Sequence, residues 1–208
     1  MSSRTLTGLL LIVGPIVLLG GFITMGVSLG TNVNWGDDSE MIPALGENAG
    51  LVKAVIPVAT LGMLMAAAGF AGLNHSMSGG SGAHYMKVGL LFYLIGATVV
   101  VGESALNMGI AEAASDEKQA VAEALFAAAG AIGSGGEATR FLGFALMGAS
   151  ILTQKNLHIA LGALMVVIGL IGVGTSIADY TSNFMMIGYA GASILTLASG
   201  VLVIRAKD

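Results

Sequence analysis

The chain has 208 residues, 55% hydrophobic and only 10% charged, with mean hydropathy +0.89 and net charge −4. A soluble domain carries roughly a quarter charged residues, so this composition describes an all-α integral membrane protein embedded in the lipid bilayer. The chain has no cysteine, which excludes disulfides, thiolate metal sites and cysteine nucleophiles, and its few scattered basic residues exclude nucleic acid as a partner.

The 32 glycines suit close helix–helix approach in lipid, where small residues replace the hydrophobic effect as the packing device. A transmembrane barrel would instead show runs of about ten residues of alternating polarity. Apolar segments at 6–29, 52–73, 87–111, 136–154, 157–178 and 184–204 are each close to the roughly 20 residues that cross a bilayer. They predict a single domain over 1–208, a six-helix transmembrane bundle. The first run follows Arg4, exceeds a signal-peptide core in length and lacks a convincing cleavage site, so it is taken as the first membrane helix.

Charge sets the expected orientation. Arg4, Lys87, Lys155, Arg205 and Lys207 fall on one side of this layout. The other side holds Asp37, Asp38, Glu40, Glu47, Asp116, Glu117, Glu123 and Asp179, with Lys53 and Lys118 as exceptions. Positively charged loops stay inside, which predicts a cell-membrane protein with both termini in the cytoplasm.

Between the first two spans, residues 31–50 read as a loop with Trp35 at the membrane interface. Pro15 and Pro57 lie inside the first two spans and are expected to kink them. The loop at 74–86 is glycine-serine rich. Next, Ser115 is expected to cap a short amphipathic surface helix over about 116–131, with Asp116 and Glu117 in its first turn. The glycines Gly130, Gly133, Gly135 and Gly136 then permit a break before the fourth span, the alternative being one long helix over 117–153. Gly26-Val27-Ser28, Gly102-Glu103-Ser104 and Gly174-Thr175-Ser176 recur on odd-numbered spans, each followed by a polar residue at Thr31, Asn107 or Asp179. This pattern admits three pseudo-repeated helical hairpins, as in many transport folds.

Two constellations carry chemistry. Glu103 lies sixteen residues past Lys87 and Arg140 fifteen before Lys155, about 24 and 22 Å of helix rise, which puts both at one depth on antiparallel helices. With Asn107 and Glu137 on the same faces and Asp179 at the rim, they predict an outward-facing polar pocket for a small solute, cation or proton. The structural alternative is a Glu103–Arg140 ion pair that locks two helices, with Glu137 in water at the mouth. The second constellation is His75, His84 and His158 at the cytoplasmic face. His75-Ser-Met77 and His84-Tyr-Met86 offer imidazole and thioether, which suit copper(I).

The serines Ser28, Ser104 and Ser176 have no histidine beside them and are expected to bond the helix backbone rather than act as nucleophiles. Gly162, Gly169, Gly172 and Gly174 mark tight packing against a neighbouring helix, in this chain or in a homo-oligomer. Three functions follow from these features: a transporter-like or channel-like protein, an accessory subunit of a larger membrane complex, and a metal or redox protein.

Overall fold

The computed structural model describes residues 2–30, 33–155 and 157–206, with backbone alone at Asn183. Thr31 and Lys207, used above for the repeat and the orientation, lie outside these residues. The described residues form seven helices and no strand: α1 (Ser3–Leu29), α2 (Asp38–Glu47), α3 (Ala49–Ser76), α4 (Ala83–Ser115), α5 (Gln119–Gln154), α6 (Ile159–Ala178) and α7 (Asn183–Arg205). Among them α1, α3, α4, α6 and α7 are long and apolar enough to cross a membrane. α5 has the length, but Glu137 and Arg140 interrupt its apolar stretch and lower its hydropathy. Pro15 and Pro57 lie inside α1 and α3 without ending either helix.

The six long helices close into a ring in the cyclic order α1, α3, α4, α5, α6, α7. Neighbours run antiparallel: Gly14 meets Gly62 and Gly21 meets Ala59 across α1 and α3, while Arg4 reaches Val203 and Phe22 stacks on Tyr189 across α1 and α7. The interior is filled by Leu11, Phe70, Phe141, Phe144, Met147 and Met165, all almost fully buried. Exposed apolar side chains such as Leu64, Leu94, Val167 and Ile177 cover the outside, as a lipid-facing surface requires.

At one end of the ring α2 buries Met41, Ile42 and Leu45 beside the ends of α1, α3, α4 and α5. The sequence predicts a loop here, because Met41, Ile42, Ala44 and Leu45, interrupted by Pro43, are too few to show a helical period. Asp37 caps it, its carboxylate accepting from the Ser39 amide at 2.9 Å. At the opposite end Ser150 donates to the Gly82 carbonyl, tying α5 to the 77–82 connection.

α5 is one continuous helix, not a short surface helix followed by a break. Ser115 ends α4 rather than capping α5. Glu117 turns the chain at φ 60°, and α5 begins at Gln119. The glycines expected to break the helix do other work: Gly133 and Gly136 face α4, and Gly130 and Gly135 face open space. Three of the α6 glycines serve packing within the chain, Gly162, Gly169 and Gly172 resting on α5, while Gly174 faces open space.

Candidate functional site

The site is built on the α4–α5 seam, where Gly89 and Gly96 lie against Gly143 and Gly136. A Cβ on Gly96 would come within 2.6 Å of the Gly136 carbonyl oxygen, so the two backbones touch. This contact fixes the register of every polar group on the two helices.

That register corrects the expected geometry. Gly133, not Arg140, lies opposite Glu103, and Arg140 lies opposite Gly96. Arg140 is therefore seven residues, or about 10 Å, farther from the α2 end than Glu103. Lys87 and Lys155 do not share a level. Instead α5 runs past the start of α4, Gln154 sitting beside Gly80 and Thr153 accepting from Ser81 at 3.2 Å.

The ion pair is accordingly different. Arg140 pairs with Glu137 of its own helix, Nε to Oε2 at 2.6 Å, and both are almost wholly buried, so Glu137 is not in water at a mouth. The guanidinium carbon also lies 5.1 Å from the Phe141 ring centre, 5.7 Å from Tyr189 and 5.8 Å from Tyr93. Stacking of this kind suits a planar, weakly hydrated cation away from water.

Glu103, also buried, accepts a 2.6 Å hydrogen bond from the Tyr180 hydroxyl. Asn107, half-buried, stands one turn nearer the α2 end on the same face. Asp179 does not join the cluster. It is exposed and accepts from the Thr181 amide and hydroxyl, closing the 179–182 turn that presents Tyr180. Beyond Asn107, Lys53 pairs with Glu112 and Lys118 with Asp116 at the surface.

Sequence reasoning missed Tyr180, Tyr189 and Tyr93. A signal existed: a phenol within an apolar span needs a partner for its hydroxyl. A partly open cavity lies beside Arg140 within the ring. It measures about 20 Å³, room for about one water molecule, and is lined in part by Tyr93, Arg140, Tyr189, Ser193 and Thr196.

The histidines lie at the opposite end of the ring. His75 is in the last turn of α3, His84 lies beside the Tyr85 ring, and His158 accepts from the Ala160 amide to cap α6. Among the described residues no three His, Asp or Glu side chains stand close enough together to hold a metal ion. Ser176 donates to the Gly172 carbonyl one turn back, as expected of a serine in an apolar helix.

No protein-family model matches the chain, and the comparisons with curated proteins and with solved structures gave no match either.

Proposed function

We propose that the chain is a six-span protein of the cell membrane that conducts or transports a small ion, a proton before all others, along the polar side chains inside its ring. The α2 end faces outward and both termini are cytoplasmic. Six spans are supported by the ring itself, which takes α5 as an equal member despite its lower hydropathy. The orientation is supported by charge: Arg4, Lys87, Lys155 and Arg205 lie towards one end, and Asp37, Asp38, Glu40 and Asp116 towards the other.

The observation that carries the reading is the succession of polar groups, half-buried at Asn107 and Tyr180 and buried at Glu103, Glu137 and Arg140. From the α2 end inward come Asn107, then Glu103 with Tyr180, then Glu137 with Arg140, then the small cavity. Ionisable residues in a membrane protein are costly and mark ion pathways and proton relays. A space for about one water suits a proton better than an organic solute.

The test is flux. In proteoliposomes with an internal pH dye and an imposed membrane potential, wild-type protein moves protons. Glu103→Gln falls to the level of protein-free vesicles. Equal flux in the two proteins would remove the reading.

An accessory role in a larger complex is the second reading. A surface groove between α1 and α3, lined by Val17, Gly20, Gly21, Thr24, Val55 and Val58, offers the small-residue face a partner helix uses. Under it the Glu137–Arg140 pair is only a helix lock, and gentle extraction from the native membrane would bring other subunits with this chain.

A further inference from the structure

Proton passage along a buried column needs a door, because a permanently open path would dissipate any gradient. We propose that the 179–182 turn is that door, with Tyr180 as the plug and Glu103 as its catch. The proposal rests on the reading above of a polar path inside the ring.

Four observations carry it. Tyr180 is half-buried in the α2-side part of the path, just inside Asn107, and its hydroxyl donates to buried Glu103. The Arg140 level lies about 10 Å farther in, so an ion entering from this end meets Tyr180 first. The plug fits because position 133 is glycine. A Cβ there would fall 2.6 Å from the Glu103 carboxyl carbon and 2.7 Å from the Tyr180 ring, so any larger residue would push plug and catch off the wall.

The turn is also built to move as a unit. Asp179 closes it internally through Thr181, and the Ser182 amide donates to the Asp179 carbonyl at 3.2 Å. None of these bonds reaches α4 or α5, whereas the Tyr180 hydroxyl does. Nearby, Ser134 of α5 donates to the Ser176 carbonyl at 2.6 Å, which anchors α6 just before the turn, and the Asp179 amide donates to the Thr175 carbonyl at 2.9 Å, so the hinge falls at the end of α6. Thr181 lies against Gly36 of the α1–α2 connection.

Opening needs no covalent step. The phenol leaves the carboxylate, and water enters where the ring stood.

The chain has no cysteine of its own, so a single introduced thiol reports access without background. Ser193→Cys places one on the cavity wall. The probe is silver ion in chloride-free medium, applied to vesicles from the α2 side, with an exposed Thr181→Cys protein reporting which side that is. Blocked thiol is read as the loss of alkylation after unfolding.

With Tyr180 intact, the Ser193→Cys thiol reacts slowly. Tyr180→Phe keeps the plug but loses the catch and raises the rate about tenfold, the value of one hydrogen bond. Tyr180→Ala removes both and raises it further. Gly133→Ala raises it too, with the tyrosine unchanged. Equal rates in all four proteins, fast or slow, would overturn the proposal. Because the readout is access and not flux, a protein that gates without conducting protons would separate failure of the transport reading from failure of the door.

Discussion

Arg140 is answered within its own helix by Glu137, three residues back, and by three aromatic rings. Removing one member of such a buried pair strands the other charge, at a cost of about 3–5 kcal/mol, whereas removing both leaves nothing unpaired. Glu137→Gln and Arg140→Met should therefore each lower the melting temperature in detergent markedly, and the double variant should melt near wild type. An additive double variant would show that the two side chains do not act as a pair.

At the surface, hydrogen bonds from the Ser39 hydroxyl and amide hold the Asp37 carboxyl below its usual value of 3.8. A lowered folded-state value means that the cap contributes fully above pH 3.8 and is lost as pH falls through the lower, folded value. Hydrogen exchange at the Ser39 amide should thus stay slow above that pH and quicken below it. An exchange rate flat across the acid range, after correction for intrinsic chemistry, would dissociate the cap from the carboxylate.

Glu103 and Arg140 were legible in the sequence because charge inside an apolar run is conspicuous. Glu137 was legible too, as the i,i+3 neighbour of Arg140, but the relation of Glu103 to Arg140 depends on the register between α4 and α5, and two lysines at unequal levels gave the wrong register. Tyr180 was hidden by its neighbour: Asp179 carried the charge that drew attention, yet its carboxylate only shapes the turn.

Among the elements, α5 separates glycines that matter from those that do not. Gly96 of α4 touches its backbone, so Gly96→Ala should cost about 1–3 kcal/mol of stability through overpacking. Gly135 faces open space, and Gly135→Ala should leave the melting temperature unchanged or raise it, since alanine favours helix. Equal losses at both positions would place the α4–α5 contact elsewhere.

The apolar runs located five of the six long helices to within about four residues at each end, because roughly 20 apolar residues have few other uses, whereas α5 starts seventeen residues before the run at 136–154. The continuity of α5 was harder to read. A cluster of glycines looks the same in sequence whether it breaks a helix or lets two helices touch. The helix α2 left only a faint trace, since Met41, Ile42 and Leu45 bury a face too short for a clear period.

For the whole molecule, the cyclic order of the ring could not be read from hydropathy, which reports burial in lipid but not which helix lies beside which. Closure of α7 onto α1 through Arg4, Gly8 and Gly200 is what encloses the polar groups and makes an interior path conceivable. The same closure would serve a scaffold equally well, so stability and flux must be measured on one protein.

The decisive protein is the doubly neutralised Glu137→Gln/Arg140→Met variant, and the decisive measurement its proton flux in proteoliposomes beside wild type. The account predicts a normally folded protein whose flux is lost, because the relay has been removed without stranding a charge. Wild-type flux in that variant would contradict it and reduce the pair to a lock between helices.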